Sequence, residues 1–193
     1  MKKAPEIETA AIRRATVLSV GPSDADGSSL EHIFHEPAWG VYTYSEWTLI
    51  ARPTLDAAFS VLREALVPIV LCEADLLPGT WREILEHISF LPDPPLLIVT
   101  SRLADERMWA EVLNEGGYDV LAKPFDMEEV IRTFTLAWQH WQDRHDLHSS
   151  RTKQRQATGA PTGRETEGGE AVIRETGPAN VHRAWLSSRL RSG

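Results

Sequence analysis

The chain lacks an excess of positive charge and has no second cysteine, and each absence excludes a class of protein. Its 193 residues carry 20 Lys and Arg against 28 Asp and Glu, which gives a net charge of -8. A nucleic-acid-binding body needs a basic face that neutralises phosphates, so this composition argues against one. The single cysteine, Cys72, excludes an intramolecular disulfide and favours a reducing compartment.

Long apolar segments are also missing. No run approaches the roughly 18 apolar residues that indicate a transmembrane helix. The first five residues, Met-Lys-Lys-Ala-Pro, are not followed by the apolar core of a secretory signal peptide. We therefore expect a soluble cytoplasmic protein without membrane partners. With 42% hydrophobic residues, the chain is long enough for one compact domain with its own core.

The composition changes along the chain. Residues 1–145 hold 12 Lys and Arg against 23 Asp and Glu, whereas residues 146–193 hold 8 against 5. The second part is rich in Ser, Thr, Gly, Arg and Glu, and it has too few apolar residues to offset the entropy of ordering the chain. We therefore predict a flexible leader over residues 1–14, a folded domain over 15–143 and a disordered tail over 144–193.

Short apolar runs alternate with helical patterns in the folded part. The runs are bounded by turn-forming residues, as expected of buried strands. They are residues 16–20, 47–51, 67–73, 96–100 and 118–122. Apolar residues at helical spacing follow each run, and the last such segment covers about 126–143. This alternation predicts an α/β fold, a doubly wound five-stranded parallel sheet with helices on both faces.

Three polar side chains stand at the ends of consecutive predicted strands: Glu73, Thr100 and Lys123. The carboxyl ends of parallel strands meet at one edge of a sheet, where ligands bind in such folds. A carboxylate, a hydroxyl and an ammonium group can satisfy one another in charge and hydrogen bonding. We therefore predict that the three groups form one site.

Three segments of this sequence resemble the receiver domain of two-component response regulators. They are the strand ending in Thr100-Ser101, the segment Gly117-Tyr-Asp-Val-Leu-Ala-Lys-Pro-Phe125, and the strand, acid, loop and Pro-Gly turn of residues 70–79. The resemblance covers about residues 15–142 and implies a flavodoxin-like receiver fold. In that family the third strand ends in an aspartate that accepts a phosphoryl group from a histidine kinase, and two acids after the first strand hold Mg²⁺.

The resemblance also assigns roles by position. Thr100 matches the family's hydroxyl residue and Lys123 its lysine, which both contact the phosphoryl oxygens, and Pro124 follows a cis peptide bond in the family's manner. The departures concern the acids: Gly21 and Pro22 stand at the acid-pair positions, and Glu73 stands where the phosphorylated aspartate is expected.

These departures predict an atypical receiver. Phosphoryl transfer depends on metal ions that neutralise developing charge and on an in-line nucleophile. Gly21 and Pro22 offer no metal-binding side chain, and Asp24 and Asp26 lie past the strand end, so we expect neither metal nor other cofactor. We expect a protein that is not an enzyme and that acts through contact with another protein.

Glu73 leads to a specific hypothesis. Glutamate is one methylene longer than aspartate, so its charge lies nearer to Thr100 and Lys123, where phosphoryl oxygens would lie. A permanent ion pair would then hold the domain in one signalling state. The alternative is a genuine phosphoacceptor, modified at Glu73 or Asp75 with Mg²⁺. Asp75 is the second choice, because the apolar strand ends before Glu73 and leaves Asp75 in the loop.

The partner expected from the resemblance is another signalling protein, either a histidine kinase or an output protein, and a second copy of the chain is a further candidate. Trp138 and Trp141 lie at what we predict to be the exposed end of the last helix. They either cover the sheet or extend a partner-binding face, since tryptophan is enriched at interfaces.

Overall fold

The structure, a computed structural model, describes residues 13–22, 25–36 and 45–157. Within these residues, five parallel strands form one sheet in the order β2-β1-β3-β4-β5. The strands are β1 Arg13–Val20, β2 Ser45–Arg52, β3 Ile69–Glu73, β4 Leu96–Ser101 and β5 Asp119–Ala122. The predicted doubly wound α/β sheet is confirmed.

The helices of the described chain alternate with the strands. They are α1 Ala25–His35, α2 Leu55–Glu64, α3 Trp81–Ser89, α4 Glu106–Glu115 and α5 Met127–Ala157. The side chains of Thr54, Thr80 and Asp105 cap α2, α3 and α4 by accepting a backbone N–H of the first turn. α4 ends at a left-handed glycine, Gly116, with φ 104°. None of the described helices is long and apolar enough to cross a bilayer.

Three boundaries differ from the sequence prediction by three residues or more. β1 begins at Arg13 rather than at residue 16, and α5 continues to Ala157 rather than ending at residue 143. The residues after 143 are polar, but Arg, Lys, Gln and Ala favour helix, so the helix continues past the sheet. The apolar spacing from Leu103 predicts a helix over about residues 103–115. α4 instead begins after its cap Asp105, and this leaves Leu103 outside the helix and 80% exposed.

Other predictions concern residues that the structure does not describe. Residues 1–12 of the predicted leader and the tail beyond residue 157 lie outside the described residues. So do residues 38–44 of the aromatic connection 38–46, for which the sequence predicts no element. The predicted disorder of the leader and of residues 158–193 therefore stays a prediction.

Each face of the sheet carries its own core, because successive side chains of a strand point to opposite faces. Val70 and Cys72 of β3 pack in one cluster with residues of α2, α3 and α4. Ile69 and Leu71 of the same strand pack in the other cluster with residues of α1 and α5. Five helices thus cover both faces of the described sheet, and its carboxyl edge is left to the loops.

Trp138 and Trp141 belong to the α1–α5 core. They are 7% and 5% exposed and stack on each other with ring centroids 5.6 Å apart. The prediction of an exposed position is wrong, because α5 carries its apolar side chains onto the sheet along a greater length than we expected. Of the two interpretations of this pair, the structure supports packing against the sheet.

Candidate functional site

The ends of β3, β4 and β5 lie level with one another at the carboxyl edge of the sheet. Glu73 is the register partner of Thr100, and Ser101 is the partner of Ala122. One residue further, the backbone N–H of Lys123 donates to the carbonyl oxygen of Ser101 at 2.9 Å. Parallel pairing therefore places the three predicted groups side by side, although 50 residues separate the first from the last.

The side chains of Glu73, Thr100 and Lys123 converge on a single oxygen. The Lys123 ammonium donates a hydrogen bond to Oε2 of Glu73 and forms an ion pair with it. The Thr100 hydroxyl lies 3.4 Å from the same Oε2 and 3.5 Å from the carbonyl oxygen of Cys72. The lysine side chain is only 5% exposed and the glutamate side chain 17%, so the contact is largely shielded from water. The predicted meeting of these three groups is observed.

Pro124 contributes to the site through the backbone. The Lys123–Pro124 peptide bond is cis, as the resemblance implies. The following residue, Phe125, lines the site cavity, and its ring centroid lies 5.8 Å from the lysine nitrogen.

Asp26, which the sequence interpretation set aside, lies in the site, together with Arg102, which that interpretation did not name. Asp26 lies in the first turn of α1, is 8% exposed, and places Oδ2 3.6 Å from the Lys123 nitrogen. The guanidinium of Arg102 reaches the same oxygen at 2.5 Å. The sequence position of Asp26 could have indicated this location, because the helix after β1 begins at the carboxyl edge, where the strand ends meet. Asp24, which we had set aside together with Asp26, lies outside the described residues.

Asp75 is exposed in the turn that follows β3 and is not among the residues lining the site cavity. The predicted position of Asp75 in the loop is observed. The Glu73 carboxylate, by contrast, faces the cavity together with Thr100 and Lys123.

Gly21 and Pro22 also line the cavity, at the positions where the resemblance leads us to expect acids. A Cβ at residue 21 would lie 3.3 Å from Cβ of Glu73 and 3.8 Å from its Oε2. The first distance is tighter than ordinary van der Waals contact, so a side chain there would press on the glutamate. The missing side chain at residue 21 therefore leaves room for the glutamate at residue 73.

The described residues of the site do not fit the Mg²⁺ ion of the receiver family. Mg²⁺ requires near-octahedral oxygen coordination and keeps several of its waters. The cavity measures ≈ 20 Å³, about enough for one water molecule. Among the described residues no group of three or more His, Cys, Asp and Glu side chains is placed to hold a metal. Among the residues that the structure describes at this edge, the carboxylates of Glu73 and Asp26 are each paired with a cation of the protein.

Cys72, which precedes Glu73, is fully buried. Burial raises the pKa of its thiol to about 12, and the negative charge of Glu73 adds to the effect. A thiol with this pKa stays protonated near neutral pH and is a poor nucleophile. Cys72 therefore acts as a small apolar residue of the core.

The fold and the arrangement of the strand ends define a class, that of α/β domains with a polar site at the carboxyl edge of a five-stranded parallel sheet. No model of a known protein family matches the chain, and no curated protein matches it either. Solved structures do match, and those described below are signal receiver domains or response regulators.

The signal receiver domain of an HD domain-containing protein from Pseudomonas fluorescens Pf-5 is similar with a TM-score of 0.58 and 21% identity, over 69% of this chain and 93% of that one. A putative response regulator from Chloroflexus aurantiacus J-10-fl gives a TM-score of 0.57 and 16% identity, over 66% and 99%. The beryllofluoride-activated NtrC4 receiver domain dimer gives a TM-score of 0.55 and 22% identity, over 65% of this chain and 98% of that one. The chain therefore has the receiver fold.

Proposed function

We propose that this domain is an atypical receiver module of the cytoplasm that takes part in two-component signal transduction through protein–protein contact. Glu73 takes the place of the phosphoacceptor aspartate and holds the site in one state. The observation that carries the proposal is the buried ion pair between Glu73 and Lys123, with Thr100 beside the same oxygen.

The charge of Glu73 lies where an added phosphoryl oxygen would lie. Charge-assisted hydrogen bonds are shorter and stronger than neutral ones. In the receiver family the equivalents of Lys123 and Thr100 contact phosphoryl oxygens, and here both groups lie beside Oε2 of Glu73. A carboxylate that is part of the chain cannot be removed by hydrolysis, so the arrangement persists without a phosphate donor.

The geometry favours this proposal over a genuine phosphoacceptor. A phosphoryl group added to Glu73 would displace the ammonium that lies on its oxygen, in a cavity of ≈ 20 Å³. Gly21 and Pro22 bring no carboxylate for the metal that would neutralise the incoming charge. Asp75 is exposed and outside that cavity, so Lys123 and Thr100 are not placed to assist transfer to it.

A receiver without phosphoryl chemistry acts through its surface. We propose that its partner is another signalling protein, either a histidine kinase or an output protein, and that it is not an enzyme and needs no cofactor. The NtrC4 receiver was solved as a dimer, which makes a second copy of this chain a further partner to test.

Incubation with acetyl phosphate and Mg²⁺ tests the proposal. Intact-mass and peptide mass spectrometry are expected to show no covalent phosphate on the protein. The Asp75→Asn variant serves as the matched control, and its mass is expected to be equally unaffected. Phosphate on Glu73, or on Asp75 in the wild type and lost in the variant, would establish the phosphoacceptor function instead.

A second experiment asks whether the site has one state. Amide NMR spectra recorded with and without beryllofluoride and Mg²⁺ are expected to coincide. The Glu73 carboxylate is already paired with Lys123, and Gly21 and Pro22 provide no acid pair for the metal. Shifts at Thr100 and Lys123 on addition of the reagent would show that the site still switches, contrary to the proposal.

A further inference from the structure

Arg102 links two elements that are distant in sequence. It is the first residue of the β4–α4 loop (residues 102–105), and its guanidinium lies 2.5 Å from Oδ2 of Asp26, 76 residues away. Both ends of this link are anchored. Leu103 N donates to the Ser101 hydroxyl at 3.0 Å, and Asp26 lies in the first turn of α1.

Lys123 lies between two carboxylates that compete for it. Its ammonium contacts Oε2 of Glu73 and lies 3.6 Å from Oδ2 of Asp26. The Asp26 oxygen that faces the lysine is the one that accepts from Arg102. Coulomb attraction in a shielded site falls slowly with distance, so the charge on Asp26 would draw the lysine away from Glu73 if Arg102 did not balance it.

We propose that Arg102 is a positioning residue: its pairing with Asp26 keeps Lys123 on Glu73 and ties the β4–α4 loop to α1. At Asp26 the guanidinium supplies the positive charge that a metal ion supplies to the carboxylates of a metal-dependent site. Arg102, whose side chain is 67% exposed, holds Asp26 from the solvent side, whereas Lys123, 5% exposed, holds Glu73 inside the site. This inference deepens the proposed function and rests on it, since it names what keeps the single state in place.

The ammonium resonance of Lys123 reports on its partner. In the wild type, this buried group is expected to give an NMR signal with slow hydrogen exchange. Arg102→Gln is expected to shift the nitrogen resonance and to accelerate exchange by about tenfold, the factor that corresponds to a weakened hydrogen bond between charged groups. Arg107→Gln, which removes an exposed arginine of α4, is the matched control and is expected to leave the signal unchanged.

A second substitution that restores the Lys123 signal distinguishes a positioning role of Arg102 from a general loss of stability. If Asp26 draws the lysine away, then Asp26→Asn in the Arg102→Gln background removes the competing charge and is expected to restore the wild-type resonance and exchange rate. Arg102→Lys keeps the charge and is expected to retain most of the effect of the arginine. If Arg102→Gln does not fold, Asp26→Asn alone and Arg102→Lys are measured instead. Both are expected to keep the Lys123 signal.

An unchanged Lys123 resonance in folded Arg102→Gln overturns the inference, and so does a shifted resonance that Asp26→Asn does not restore. Loss of the signal in Asp26→Asn or Arg102→Lys overturns it as well. The proposed function is tested separately. Phosphate on Glu73 after acetyl phosphate treatment would contradict the proposed function, whereas the response of Lys123 to Arg102→Gln is measured without any phosphate donor.

Discussion

Glu73 and Lys123 form an ion pair in a site that is largely shielded from water. Removing one of the two charges leaves the other buried without its main partner. Burying an ion pair costs desolvation energy, and the pair is retained only if its geometry and further hydrogen bonds compensate. Here the Thr100 hydroxyl lies beside the same carboxylate oxygen, and the absence of a side chain at Gly21 leaves room for the glutamate. The pair thus depends on its neighbours more than on its own attraction.

Neutralising Glu73 is expected to destabilise the fold. Glu73→Gln leaves the Lys123 ammonium, whose side chain is 5% exposed, without its main carboxylate. We expect the free energy of unfolding to fall by about 2 kcal/mol, less than for a fully buried pair because Asp26 remains close. Urea unfolding measures this difference. The double variant Glu73→Gln/Lys123→Met is the control: it is expected to lose less than Glu73→Gln alone, and a larger loss would contradict the argument.

Cys72 is expected to be unreactive in the folded protein. Its thiol pKa is raised from 9.0 to about 12, so below pH 9 the thiol is neutral in both the folded and the unfolded state. Above pH 9 only the unfolded thiol ionises, so the free energy of unfolding is expected to fall as the pH rises towards 12. Alkylation with iodoacetamide near pH 8 checks the first point, with urea-unfolded protein as the control. Rapid labelling of the folded protein would contradict the prediction.

The helix α5 has an early part that packs on the sheet and a later part that contacts a loop. Its early part carries Phe134, Trp138 and Trp141 into the core beside α1. Beyond that part, Arg144 donates to the carbonyl oxygen of Pro94 at 3.0 Å, and His145 stacks on Trp141 with centroids 4.8 Å apart. The helix is therefore held against the loop before β4 for longer than its apolar pattern indicates.

Trp141 is expected to contribute much of the stability of this helix. The side chain is 5% exposed, so Trp141→Ala leaves a cavity between α5 and the sheet and is expected to cost about 3 kcal/mol of unfolding free energy. Leu147→Ala, at a helix position 65% exposed, is the matched control and is expected to change stability by less than about 0.5 kcal/mol. Equal effects in urea unfolding would show that the tryptophan does not anchor the helix.

The strands could be predicted because their signal is local. Five apolar runs of the right length, each bounded by Gly, Pro or a polar residue, place the strands to within three residues at each end. The start of α4 was missed because Leu103 continued the apolar spacing, whereas the cap Asp105 determines the first turn. The end of α5 was missed because we took the change to a polar composition after residue 143 as the end of the helix. The residues that follow still favour helical structure.

At the scale of the whole molecule, the sheet topology makes part of the site predictable. Parallel strands align their carboxyl ends, so Glu73, Thr100 and Lys123 could be brought together from sequence order alone. The Asp26–Arg102 pair could not, because it depends on how far two side chains reach across the edge from a loop and a helix. Topology places backbone ends, whereas the choice among nearby charges is made by side-chain geometry.

The balanced charges of the site predict that Mg²⁺ does not act as a ligand of the folded protein. An ion that binds only the folded state raises stability by about 2.7 kcal/mol at 100 times its dissociation constant. Residues 1–145 carry a large excess of acids, so any salt screens their repulsion. MgCl₂ and NaCl at equal ionic strength are therefore expected to shift the thermal unfolding midpoint equally. A larger shift with MgCl₂ that is abolished in Glu73→Gln would contradict this prediction. It would show that the Glu73 carboxylate binds the ion and does not remain paired with Lys123.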